Sequence, residues 1–242
     1  MPLPKISTPT YELVLPSTGK TIKYRPFLVK EEKILILALE SQSTKEITNA
    51  IKQVLKDCII TKGIKVEELP TFDIEYIFLN VRGKSVGESL DLIITCGDDG
   101  ETQVPVTVFI DQIKVEEDPE HKKDIRLDAD LVLRMKYPSL DQFIKTNFDF
   151  SEDQSSSSIE RSFGVIASCM DVIFNAEESW SAADCSKKEL TDWIETLTPN
   201  QFKEIEKFFD TMPRLSHTVK VTNPKTKVES DVTLEGLTSF FG

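Results

Sequence analysis

Three kinds of side chain in this sequence are suited to chemistry: carboxylates gathered at a turn, two histidines and four cysteines. Asp98, Asp99 and Glu101 form the densest carboxylate group near a turn. Such a group can hold a divalent cation that activates water, the chemistry of a metal-dependent hydrolase. It lacks the spacing and distal Glu of a calcium loop, however, and the Asp99-Gly100 step reads first as a turn. Nucleophilic catalysis needs a Ser or Cys beside a base. The two histidines, His121 and His217, adjoin a charged loop and a presumed strand, and His217 reads as an ordinary surface or edge residue. Cys58, Cys96, Cys169 and Cys185 contain no C-x-x-C pair, which argues against zinc. Gly83-Lys84-Ser85 lacks the upstream glycine of a phosphate loop. No catalytic, metal or cofactor site follows from these residues.

Composition narrows the classes further. The 242 residues carry 29 Lys and Arg against 41 Asp and Glu, a formal charge of -12. That balance opposes attraction to phosphate backbones and speaks against a nucleic-acid partner. The start, Met1-Pro2-Leu3-Pro4-Lys5, lacks the apolar segment of a signal peptide, which leads to the expectation of a reducing cytoplasm and four free thiols, mostly filling cores. No uncharged run approaches the roughly 18 residues of a membrane span.

The elements that would position any site begin with Tyr24 to Ser41. Thr10–Leu15 and Thr21–Arg25 alternate apolar and polar around the Ser17-Thr18-Gly19-Lys20 turn, predicting a hairpin that Pro26 closes. Leu28 to Ser41 is a helix with an acidic first turn, and from Ile34 to Leu39 every side chain is apolar. Such a helix needs cover on most sides, from its own fold or from a partner, and the reading favours an internal helix. Ser43-Thr44-Lys45-Glu46 forms a capping box that opens a second helix, and Phe72 onward predicts a third that Gly83 ends. Strands flank the turn at residues 96–101 and recur at Leu131–Tyr137, while Ile113 to Glu120 reads as a solvated connector. Further capping boxes start at Ser139, Ser186 and Thr198. Ile159, Phe163, Ile166, Met170 and Ile173 step as one helical seam, and a closing hairpin spans His217 to Leu234, echoing that at residues 90–110. The expected class is therefore α+β with helices packed on short antiparallel hairpins in two lobes. The N-terminal lobe covers 1–146, an acidic Ser-rich linker 147–158, and a more helical lobe 159–242.

Exposed aromatics are the remaining signal. Burying a ring is worth roughly 1.5–3 kcal/mol, so Phe240 and Phe241 must dock on their own lobe or on another subunit. Trp193 on a helix face suits a core, whereas Trp180 in a Ser/Ala-rich loop suits an interface anchor.

The patterns Leu13-Val14-Leu15-Pro16-Ser17-Thr18-Gly19-Lys20 and Tyr24-Arg25-Pro26-Phe27-Leu28-Val29-Lys30-Glu31-Glu32-Lys33, with the Ile47–Ile60 helix, resemble the baseplate hub subunit and hub-assembly family of T4-like tailed bacteriophages. The ending Leu234-Glu235-Gly236-Leu237-Thr238-Ser239-Phe240-Phe241 is similar as well. The resemblance implies a non-enzymatic protein without cofactors that builds the central hub of a contractile-tail baseplate, as a component or as an assembly factor. It further implies the host cytoplasm during assembly, the tail baseplate of the virion, and other hub or tail proteins as partners. The residues expected to make those contacts are Phe27, Leu28, Trp180, Leu237, Phe240 and Phe241. The competing readings are a metal-dependent hydrolase at Asp98, Asp99 or Glu101 and a non-phage cytoplasmic adaptor.

Overall fold

The structure, a computed structural model, describes residues 6–140, 142 and 158–236. Among these residues the helices are α1 (Val29–Glu40), α2 (Thr44–Cys58), α3 (Thr71–Val86), α4 (Ser158–Cys169), α5 (Lys187–Glu195) and α6 (Pro199–Thr211). The strands are β1 (Tyr11–Val14), β2 (Thr21–Tyr24), β3 (Ser89–Thr95), β4 (Gln103–Phe109), β5 (Lys114–Glu116), β6 (Asp124–Arg126), β7 (Val132–Met135), β8 (Met170–Phe174), β9 (Ser179–Ser181), β10 (Arg214–Thr222) and β11 (Glu229–Glu235). Every pairing is antiparallel, so the class is α+β as expected.

The chain divides into two compact units, and the division differs from one drawn at 147–158. Residues 1–116 and 214–242 form the first unit, and 117–213 the second. The reason lies in strand pairing. The first three residues of β10 pair with β5, Leu215 opposite Val115, which ties the closing hairpin to the first unit. β7 pairs instead with β8, Leu133 opposite Ile173, and so joins the second.

In the first unit, β1 and β2 pair from Tyr11–Tyr24 to Val14–Thr21, and Gly19 takes φ +67° in the turn, a backbone state open to glycine without penalty. α1 packs on α2 and α2 on α3. The Ser43 hydroxyl accepts from the Glu46 N–H at 3.4 Å, and Ile51, Val54, Leu55 and Cys58 all point inward, as their spacing predicts. α3 continues through Gly83 and stops at Gly87, φ +134°. Gly83 answers to packing instead: a Cβ there would stand 3.1 Å from Ile110 Cδ1. Past α3, two hairpins share one core, with Leu90, Leu92 and Ile94 of β3 against Val219, Val221 and Leu234 of β10 and β11. Asn223 ties their tips together. Its Nδ2 donates to Asp98 at 3.0 Å and to Asp99 at 2.9 Å, and its Oδ1 accepts from the Lys225 N–H at 2.8 Å.

Among the described residues the second unit is a sheet in the order β6-β7-β8-β9 with the helices α4, α5 and α6. Ile125, Leu133, Met135, Ile166, Leu190, Ile205 and Phe208 fill its core. The predicted seam from Ile159 to Ile173 is a correction: α4 ends at Cys169, and Met170–Phe174 is a strand, because its β-branched and aromatic side chains find a partner in β7. The boxes at Ser186 and Thr198 form reciprocally, with Pro199 in the first turn of α6. Ser139 and Gln142 also exchange bonds, while the helix expected beyond them and the linker at 147–157 lie outside the described residues.

Candidate partner-binding site

The hairpin-to-helix junction is built around Arg25 and Glu31. Pro26 ends β2, and the chain turns so that Glu31, in the first turn of α1, points inward with no exposed side-chain surface. Arg25 Nη2 donates to Glu31 Oε1 at 2.8 Å, and its Nη1 to the Pro26 carbonyl at 2.9 Å. The Leu28 N–H donates to Glu31 Oε2 at 2.8 Å, completing half of a capping box. The Arg25 N–H reaches the Cys58 carbonyl at 3.0 Å, and the Phe27 N–H the Ser85 hydroxyl at 2.9 Å. One short segment thereby joins β2, the end of α2 and the end of α3.

Burial alone would raise the Glu31 carboxyl. The hydrogen bonds from Arg25, the Leu28 N–H and Lys30 outweigh it and hold the group down at about 2. Burial pushes the neighbouring Cys58 thiol up to about 11. A carboxylate committed to its ion pair and a thiol kept protonated are poor reagents, so the junction is a latch.

The opposite face of α1 has another character. Leu35 and Ala38 turn inward with Glu31, whereas Val29 is 79% exposed, Leu37 55%, Ile36 49%, and Leu28 and Leu39 40% each. The expectation of an internal helix is therefore corrected. A helix apolar all round buries only the side its neighbours cover, and α1 packs chiefly on α2. Val29 and Ile36 lie two turns apart on one line, flanked by Leu37 and Leu39, a continuous stripe with Lys33 and Glu40 interspersed.

The other expected contact residues are scattered. Phe27 is half-buried at the latch and Leu28 opens the α1 stripe. Trp180 stands on β9, the edge strand of the second unit, rather than in a loop. The register Ile125–Leu133–Ile173–Trp180 puts it at the rim of the core-facing side, 42% exposed. Leu237, Phe240 and Phe241 lie outside the described residues.

The residues suited to chemistry are occupied structurally. Asp98 accepts from Asn223 and Thr226, and Asp99 from Asn223, Thr102 and the Glu101 N–H, which lowers both carboxyls. No group of three His, Cys, Asp or Glu side chains gathers to hold a metal among the described residues. All four cysteines are free; Cys58, Cys96 and Cys169 are buried and Cys185 is exposed. Among those residues no helix is long and apolar enough to cross a membrane. A cleft of about 570 Å³ in the second unit is lined by both signs of charge, among them Lys122, Arg126, Lys207, Glu120 and Glu204, so it selects no ligand class.

Residues 8–242 match the family described as T4 bacteriophage base plate protein. The chain belongs to that family. It is a component of a phage baseplate, whose other tail and baseplate proteins it meets. No curated protein and no solved structure matches it significantly.

Within this baseplate protein, sequence reasoning missed one cluster. The His121 ring lies 5.6 Å from Tyr137 and 5.1 Å from Phe208, with Nδ1 3.0 Å from the Thr211 hydroxyl and a buried Nε2 that has no hydrogen-bond partner. Burial, with Lys123 nearby, lowers its basicity. Its three partners lie far away in sequence, and no local signal joins them.

Proposed function

We propose that this baseplate protein serves the central hub, as a hub component or as the factor that assembles it, and that it acts by protein contact without catalysis. The observation that carries the reading is the outer face of α1, where five large aliphatic residues between Leu28 and Leu39 stand in water. Exposed apolar stripes of this extent belong to surfaces that another protein covers. Phe27, Trp180, Leu237, Phe240 and Phe241 are proposed as accessory contacts. No observation supports the hydrolase reading, since the oxygens of Asp98 and Asp99 are engaged in joining two hairpins.

Co-expression with the remaining hub and tail proteins of the same phage, followed by pull-down and size exclusion, tests the proposal. Co-elution with at least one of them is expected, and Val29→Ser with Ile36→Ser should weaken it. Failure to co-elute with any hub protein would sink the hub assignment.

A further inference from the structure

The chain enters the second unit along residues 117–123, and this connector is tied to α6 by one imidazole ring and one ion pair. Asp118, Pro119, Glu120 and His121 make a turn in which the His121 N–H donates to the Asp118 carbonyl at 3.0 Å and the Glu120 N–H to the Asp118 carboxylate at 2.8 Å. The turn sets the imidazole against Tyr137 and Phe208, whose rings also stack on each other at 5.8 Å. The hydrogen bonds fix its tautomer. The Thr211 hydroxyl gives its single proton to the Lys207 carbonyl at 2.7 Å, so towards the His121 Nδ1, at 3.0 Å, it accepts, and the proton of the neutral ring lies on Nδ1. The bare nitrogen is then Nε2, which is buried and has no hydrogen-bond partner among the described residues. The cleft of about 570 Å³ lies beside this contact, with Pro119 and Lys122 of the connector and Lys207, Phe208 and Thr211 of α6 among its walls.

We infer that residues 117–123 form a proton-operated strap: with His121 neutral the strap lies closed on α6, and when His121 takes up a proton the ring leaves its place and the strap lifts from the cleft. An added proton has one place to go, Nε2, where a charged N–H would face rings in place of an acceptor or water. The rings do not compensate. Lys123 already stands over Tyr137 at 4.3 Å, and its ammonium repels an imidazolium beside the same ring. Asp118 and Glu117, also on the strap, act in the opposite sense, and burial together with Lys123 outweighs them. On α6, Asp210 precedes Thr211, Glu204 lines the cleft, and Lys207 meets Glu120 of the strap at 3.3 Å. Beyond β7, Lys136 adjoins the Tyr137 ring in the chain. The Glu120–Lys207 pair stands more than half in water on both sides, so it is too weak to hold the strap once the ring has left.

The test uses the full chain between pH about 7.5 and about 5.5. The sequence has two histidines, His121 and His217, so the imidazole resonances of His121 are assigned by their loss in His121→Phe. At pH about 7.5 the ring nitrogens of His121 should report the Nδ1–H tautomer. If the lifted strap takes up the proton at the ordinary value of 6.5 and the closed strap does not, the opening equilibrium rises about tenfold over this range. Hydrogen exchange at residues 120–123, corrected for the intrinsic effect of pH, should quicken by that factor, and at every pH it should outpace exchange in α4 and α5, because lifting is local. His121→Phe fills the place between the rings without a titrating group and should abolish the acceleration. Thr211→Val, which removes the acceptor of Nδ1–H, should quicken strap exchange about fivefold already at pH about 7.5. The tautomer and the exchange profile of the unaltered chain decide the matter even if a variant fails to fold. An Nε2–H tautomer, titration of His121 without faster strap exchange, strap exchange no faster than that of α4 and α5, or the same acceleration in His121→Phe would each overturn the inference.

Discussion

The two units secure their interiors by different means. The first buries charge: Glu31 with Arg25 and Asp73 with Ser17, and it buries the Asn223 amide against Asp98 and Asp99, the last two ties joining elements distant in the chain. The second leaves its pair Arg134–Asp124 half in water and relies on ring stacking, with His121, Tyr137 and Phe208 in mutual contact and Phe209 edge-on to Phe208. A buried charge without its partner has nowhere to go, whereas an exposed one is taken up by solvent. The first unit should therefore tolerate polar substitutions poorly, and the second should respond to changes in ring packing.

The largest test of that contrast is Glu31→Ala, which leaves the Arg25 guanidinium without its carboxylate and the Leu28 N–H without an acceptor. A loss of about 3–5 kcal/mol is expected from the first unit, measured by hydrogen exchange of the α1 and α2 amides. The double change Arg25→Met with Glu31→Leu should recover much of it, because no charge then stays buried. Acid sharpens the same point. The Glu31 carboxyl titrates near 4.5 in the unfolded chain and near 2 in the folded one, so its stabilisation is present above about 4.5 and disappears as the pH falls towards 2. The amount at stake is on the order of 3 kcal/mol, and the acid-unfolding curve of Glu31→Gln should lose that portion of its slope.

Next in size is Asn223→Ala. The hairpin tips lose their tie, with a cost of about 1–3 kcal/mol, confined to faster exchange at the ends of β3, β4, β10 and β11. In the second unit, His121 is less basic folded than unfolded, so stability holds above its ordinary value of 6.5 and declines as pH falls below it, when the unfolded chain binds the proton more readily. Lys123, Asp118 and Glu117 are the charged groups near the ring. Both tryptophans, Trp180 and Trp193, belong to this unit, so denaturation followed by their fluorescence between pH about 7.5 and about 5.5 reads it selectively. His121→Phe should flatten the dependence. Smallest of all, Asp124→Asn opens an exposed pair and should cost under about 1 kcal/mol.

Local pattern carried much of this structure. The Gly19 turn, the caps at Ser43, Ser186 and Thr198, and the periodic face of α2 are fixed by neighbours a few residues apart, and each is visible in the sequence. Where a distant partner decides the outcome, sequence alone fell short. Met170–Phe174 satisfies helical spacing until β7 is available to pair with it, and Gly83 looks like a helix stop until Ile110 packs on it. The candidate site shows the same split. Tyr24–Ser41 was evident as a greasy helix after a strand, yet which side of it meets water depends on α2 and on a glutamate that folds inward. Trp180 was singled out as an anchor, but its place on an edge strand follows from a register set by β7 and β8.

The pairing of β5 with β10 has a consequence for biosynthesis. Residues 117–213 lie between these strands in the chain, so a ribosome must release the whole second unit before Leu215 can meet Val115. During that interval β1 to β4 and the three N-terminal helices are already outside the exit tunnel, while the core shared with β10 and β11 still lacks Leu215, Val219, Val221 and Leu234. The first unit is begun early and closed last. Its Asn223 clasp on Asp98 and Asp99 can form only after the second unit has left the tunnel, which makes the clasp a marker of the closed first unit.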